Sequence, residues 1–159
     1  MNIITRKNLS VIIIFLILTT LLSFGCSRGS AKVNRQLDLA VKYLSESKFE
    51  EAILGYQEVI SIDPKNVEAY KGLGVAYTLQ GEMNKAEQAL QDSLKQVSDS
   101  KPLKLALAGL LADMKKNQEA EAIYKELISS DNQYLSAYQA YALMLAKLGK
   151  QSDAILLLE

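Results

Sequence analysis

An all-α fold built from stacked helical repeats is what this sequence predicts, on three observations. Ala52, Ala86, Ala120 and Ala154 stand 34 residues apart without slippage. Each interval reads as two amphipathic helices around a short turn, and the apolar fraction of 49% suffices for a continuous core. A fixed period of that length describes units that each bury their apolar face against a neighbour, which makes the fold an α-solenoid and places function on its surfaces.

Before the first repeat, Ser10 to Phe24 is almost wholly apolar, follows Arg6 and Lys7, and ends at Gly25-Cys26, the layout of an export signal. The segment Leu22-Ser23-Phe24-Gly25-Cys26 resembles the lipobox of bacterial lipoproteins, in which a small residue precedes a cysteine that is diacylated and becomes the new amino terminus. The usual pattern has Leu where Ser23 stands and a small residue where Phe24 stands. Residues 1–25 are therefore expected to be a lipoprotein signal peptide with Cys26 as the lipidation site. Two other readings stand beside it: cleavage by the ordinary signal peptidase, and an uncleaved anchor, since the uncharged run from Asn8 to Ser27 has the 20 residues that span a bilayer. The lipoprotein and anchor readings both tie the repeats to a membrane on the extracytoplasmic side of a bacterial cell. Two acyl chains hold a protein stably where one would exchange. Residues 26–32, rich in small and basic residues, are expected to be a flexible tether spanning on the order of 15 Å.

The alanine register divides the rest into 33–66, 67–100, 101–134 and an incomplete fourth unit, 135–159. In the first unit, Ser47-Lys48-Phe49-Glu50 reads as a capping box opening the second helix, and Asp63-Pro64 ends that helix. In the second, a helix is expected from Val67 to Leu79, a left-handed stop at Gln80-Gly81, and a second helix from about Asn84 to Val97. Gly72-Leu73-Gly74 lies within the first of these helices, follows no strand and lacks the third glycine and lysine of a phosphate loop.

These units resemble the tetratricopeptide repeat family, whose signature is an aromatic, Leu-Gly and Tyr on the first helix, then Ala, an aromatic and Pro on the second. The second unit carries it as Tyr70, Leu73, Gly74, Tyr77, Ala86 and Leu90; the first as Leu39, Ala40, Tyr43, Ala52, Tyr56 and Pro64. The third has Leu107, Ala108, Leu111, Ala120 and Tyr124, and the fourth Tyr138, Tyr141, Ala142, Leu145, Ala154 and Leu158. The resemblance implies a right-handed superhelix in which Gly74, Ala40, Ala108 and Ala142 let the helices of a unit approach, while Tyr43, Tyr77, Leu111 and Leu145 fill the space between units.

It also implies that the first helix of each unit lines a concave, partner-binding groove. The helical phase opposite the packed face selects Asn34, Leu37, Val41 and Leu44; Glu68, Lys71, Val75 and Thr78; Leu105, Gly109 and Ala112; and Gln139, Leu143 and Ala146. In family members that grip the acidic C-terminus of chaperones, lysines and asparagines clamp the carboxylate. The corresponding places here hold Leu37, Val41, Gly72, Pro102 and Ala106, and Lys71 is the one cation in a comparable slot. The groove is thus expected to prefer an apolar or amphipathic protein segment, although apolar residues there serve equally well as internal packing.

Composition excludes several functions. Arg6 and Lys7 are the only charges before Cys26, so 16 of 18 basic residues face all 18 acidic ones in the remainder, a net charge of −2 with no basic stripe for nucleic acid. The single cysteine forms no internal disulfide, and without histidine the commonest general base and metal ligand is missing. Carboxylates such as Glu50, Glu51, Glu119 and Glu121 read as solvated helix surface, so neither catalysis nor a cofactor or metal is expected. The last stretch, Ala154 to Glu159, begins a helix with no polar cap to follow, which suggests a longer array or an edge covered by a second copy. The expected function is a membrane-anchored scaffold for protein–protein interaction. The alternative is a structural component of an envelope machine, of the secretion, pilus or outer-membrane assembly type, acting through end-to-end association of arrays.

Overall fold

The computed structural model describes residues 29–159, and the expected signal segment and lipidation site at Cys26 lie outside them. Eight helices follow one another as antiparallel pairs: α1 (residues 29–45), α2 (Phe49–Ile62), α3 (Val67–Leu79), α4 (Met83–Gln96), α5 (Lys101–Asp113), α6 (Asn117–Ser130), α7 (Leu135–Lys147) and α8 (Gln151–Leu158). Among the described residues no helix is long and apolar enough to cross a membrane.

The turn inside each pair repeats one backbone device. Ser47, Gly81, Lys115 and Gly149, each 34 residues after the last, have φ of 58°, 87°, 64° and 77°. The next amide then reaches back to the helix: Lys48 N–H donates to Tyr43 C=O (2.9 Å), Glu82 to Tyr77 (2.8 Å), Lys116 to Leu111 (2.9 Å) and Lys150 to Leu145 (2.9 Å). This closes helix carbonyls that would otherwise be orphaned. It also corrects the expected capping box. Ser47 is the left-handed residue that ends α1, Lys48 takes the N-cap position of α2, and no side chain caps that helix. A second correction concerns the tether, whose described part, residues 29–32, is helical. Val33 is buried and Lys32 pairs with Glu58 at 3.1 Å, so packing on α2 holds this start of α1 in place.

At the junctions between α2 and α3 and between α6 and α7 the chain turns on aspartates, where the α4–α5 junction has Val97. The Asp63 carboxylate accepts from Lys65 N–H at 3.2 Å, and Asp131 accepts from Gln133 N–H at 3.0 Å. Asn66 caps α3 through its side-chain oxygen, which accepts from Ala69 N–H at 3.0 Å. Pro102 sits in the first turn of α5, where its missing N–H costs nothing.

The signature alanines are the tightest points: Ala52, Ala86 and Ala120 are 0% exposed. A Cβ on Gly74 would meet the Leu90 side chain at 3.2 Å, so α3 and α4 cross closely there. The core divides into two clusters. One runs through α1, α2 and α3 around Tyr56 and Val59; the other runs from Tyr70 and α4 to α8 around Leu103, Tyr124 and Leu127. Ile60 and Tyr77 pack against both and form the seam.

Candidate functional site

The inner surface is built by α3, α5 and α7, whose exposed sides are not covered by the second helices. Between α3 and α5 a cavity of about 260 Å³ is lined by Lys71, Gly74, Val75, Thr78 and Leu79 on one side and Ala106, Gly109, Leu110 and Asp113 on the other, with Leu90 of α4 at its floor. Between α5 and α7 a second, of about 230 Å³, is lined by Gly109, Ala112, Asp113 and Lys115, by Ala140, Leu143, Met144, Lys147 and Leu148, and by Tyr124 of α6 beneath. Gly109 and Asp113 belong to both, so the two form one cleft along the concave face.

Small residues on α5 create this space. Alanine and glycine at 106, 109 and 112 leave the floor low, and a Cβ on Gly109 would lie 4.0 Å from the Tyr124 hydroxyl. Val75, Leu79 and Leu143 rise from the walls at 48%, 55% and 59% exposure, a degree of exposure that leaves them free to contact another molecule. Charge is confined to the rim. Lys71 pairs with Glu68 at 3.1 Å and Lys147 with Asp113 at 3.6 Å. Burial, and then the Asp113 charge, hold the Tyr124 hydroxyl above its ordinary pKa, so it stays protonated at neutral pH.

Of the residues selected from sequence, Lys71, Val75, Thr78, Gly109, Ala112 and Leu143 come together in the cleft. Leu37 and Leu44 pack against the first core cluster, and Leu105 against the second, so these three belong to internal packing. Asn34, Val41, Glu68, Gln139 and Ala146 are exposed without lining it. Leu79, Asp113, Lys147 and Leu148 complete the cleft although the helical phase did not select them. They lie at helix ends, one or two positions beyond the last residue chosen. Tyr124 comes from a second helix and stays buried, its hydroxyl lying beneath Gly109.

Residues 42–81, which span the end of α1, all of α2 and α3, and the turn at Gly81, match the family model described as TPR repeat. The fold is a tetratricopeptide-repeat array. No curated protein matches the chain. Among solved structures it is similar to a tetratricopeptide repeat protein from Parabacteroides merdae, with 23% identity and a TM-score of 0.69 over 79% of this chain and 49% of that one. It is similar also to Pseudomonas aeruginosa pilF, with 20% identity and a TM-score of 0.69 over 81% and 59%. The chain thus spans about half of the first protein and under two thirds of the second. A third is the first TPR of Spaghetti (RPAP3) bound to the HSP90 peptide SRMEEVD, with 18% identity and a TM-score of 0.62 over 76% of this chain and 95% of that one. Within the TPR frame the cleft lies on the first helices of units two to four.

Proposed function

We propose that this TPR array is a protein–protein interaction module whose cleft over α3, α5 and α7 takes an apolar or amphipathic segment of a partner. The observation that carries this is the row of exposed Val75, Leu79 and Leu143 above a floor of glycine and alanine, with charge only at the edge. TPR repeats generally mediate protein–protein interaction, and such a cleft rewards burial of apolar side chains more than it rewards a carboxylate.

The same reading places the array outside the cytoplasm of a bacterial cell, held to a membrane through a lipid on Cys26 or through an uncleaved apolar helix. Its support is the Gly25-Cys26 ending of the apolar run after Arg6 and Lys7. End-to-end joining of arrays into an envelope assembly has less support. At α8, Ile155 and Leu158 are 61% and 59% exposed, but α1 presents exposed Arg35, Asp38 and Lys42 where later units use buried Ala69 and Ala76. An apolar edge against a charged one is a poor match.

Two experiments test these points. The intact mass of membrane-extracted protein should equal residues 26–159 plus acyl chains and lose those chains in Cys26→Ala; an unmodified full-length mass overturns the lipoprotein assignment. Titration with SRMEEVD and with a neutral amphipathic helical peptide should show preference for the latter. Equal affinity for the acidic peptide refutes the apolar groove.

A further inference from the structure

The cleft is two cavities joined at Gly109, one between α3 and α5 and one between α5 and α7. Helices packed side by side stand about 8–10 Å apart, so the cavities lie about one such step from each other and the row from Val75 to Leu143 spans about 16–20 Å. An α-helix covers one step in about six or seven residues and the whole row in about 11–13. Two apolar side chains about seven residues apart on one helix face therefore reach both cavities, with the low ridge at Gly109 between them.

The lining decides between a helical and an extended occupant. Leu90, Ala106, Gly109, Leu110, Ala112 and Ala140 offer no polar side-chain atom, and Thr78 Oγ1 already donates to Gly74 C=O at 2.8 Å. An extended segment would turn a row of N–H and C=O groups onto a floor that cannot bond them, whereas a helix brings its backbone bonds with it. Charge then gives a direction. Of the three lysines lining the cleft, Lys71 pairs with Glu68 and Lys147 with Asp113, while Lys115 has no acidic partner among the described residues. Lys115 stands in the turn that ends α5, at a φ of 64° where the second and fourth units have glycine. Ser47 takes the same turn in the first unit, so the backbone conformation by itself decides nothing; what distinguishes Lys115 is an exposed, unpaired ammonium on the cleft. The α5–α7 cavity has two lysines, Lys115 and Lys147, against Asp113, whereas the α3–α5 cavity has Lys71 against Asp113, with Glu68 beside it. The α7 end is the more positive, and a helix is negative at its C-terminus and positive at its N-terminus.

We propose that the partner segment is an amphipathic α-helix that crosses the cleft from α3 to α7, with two apolar anchors two turns apart and with its C-terminal turn, bearing an acidic side chain, over Lys115. This rests on the cleft being the partner's binding site. The anchors fill the two cavities, and the Lys115 ammonium meets both the acid and the last carbonyls of the helix. The reverse direction sets the helix amides against the unpaired lysine and its carbonyls beside Glu68.

The test uses the full chain in detergent and blocked alanine–glutamine peptides of about fourteen residues, held helical by a side-chain lactam on the outer face. Each carries two leucines two turns apart and a single glutamate, in the last turn of one peptide and in the first turn of its counterpart. Fluorescence anisotropy should show the peptide with the C-terminal glutamate binding about three- to tenfold more tightly. Lys115→Gln should bring the pair to equal affinity, and a central proline should weaken either peptide about tenfold or more. Equal affinity of the pair for the parent chain, a difference that survives in Lys115→Gln, or undiminished binding of the proline peptide overturns the inference. Failure of the cleft itself reads differently: if neither peptide binds, or if Val75→Glu leaves both bound as before, the concave face is not their site and the helix assignment falls with it.

Discussion

Gly72 of α3 lies flat against the ring of Tyr56 on α2: a Cβ placed on this glycine would fall within 3.0 Å of three ring atoms. The contact joins the second helix of one unit to the first helix of the next and lets Tyr56 reach 2% exposure. Gly72→Ala gains up to about 1 kcal/mol of helix propensity but forces backbone and ring apart, an overpacking cost of about 1 to 3 kcal/mol. The variant should unfold at lower urea concentration. Tyr56→Leu in the same chain should absorb part of the loss, so that the double substitution costs less than the two added, and strict additivity would refute the contact.

The left-handed turn carries glycine at 81 and 149 but serine and lysine at 47 and 115. A side chain at positive φ costs about 1 kcal/mol relative to glycine, and nothing requires the side chain at either exposed position. Ser47→Gly and Lys115→Gly should therefore each raise stability by up to about 1 kcal/mol, whereas Gly81→Ala and Gly149→Ala should lower it by a similar amount. Thermal unfolding of the four variants checks both signs. A lower melting temperature in the first pair would mean that Ser47 or Lys115 makes a contact outweighing the backbone strain.

Much of this array is legible in sequence because its geometry is periodic. Ala52, Ala86 and Ala120 announce the helix crossings, and Asp63-Pro64 and Gly81 announce ends that local backbone chemistry alone decides. What escaped was set by neighbours in space. Ser47 looks like a helix cap until the 34-residue register with Gly81 and Gly149 shows it to be a stop. Leu37 and Leu44 have the phase of an inner face, yet they pack, partly buried, against the core cluster of α1, α2 and α3. Gly72 was visible as a glycine in a helix, but that it accommodates Tyr56 of the preceding unit depends on how the units stack.

Acid should weaken the junction between α6 and α7. Tyr141 Oη donates to Glu121 at 2.9 Å and Lys125 pairs with the same carboxylate at 2.6 Å; these bonds, that of Lys125 first, hold Glu121 below the ordinary carboxyl range. Asp131 is lowered in the same way by Lys101 and by the Gln133 amide. A carboxylate whose folded pKa is depressed stabilises the fold fully above its unfolded pKa, and that stabilisation is lost as pH falls through the folded value. Stability should therefore be level from neutrality to about pH 5 and fall below about pH 4. Glu121→Gln should lower the neutral plateau and shallow the acid slope in urea titrations at stepped pH. An unchanged slope would remove Glu121 from the account.

Recognition in the cleft should separate from stability. Val75 and Leu143 stand on different helices at opposite sides of α5 and are about half exposed, so placing a carboxylate on either leaves the core intact and should change stability by no more than about 0.5 kcal/mol. Either substitution puts an unpaired charge where an apolar side chain of the partner would sit, which should weaken a neutral amphipathic peptide by about tenfold or more. Gly109→Leu acts differently: its side chain would project toward the Tyr124 hydroxyl and fill the link between the two halves of the cleft. If the partner segment runs continuously from α3 to α7, Gly109→Leu should match the loss seen at both ends, because a divided cleft cannot hold one helix. If it disturbs only contacts near Leu143, the two cavities hold separate side chains. Isothermal titration with the four proteins, each checked for an unchanged circular dichroism melt, distinguishes these, and unaltered affinity in all three variants would move the binding surface off the concave face.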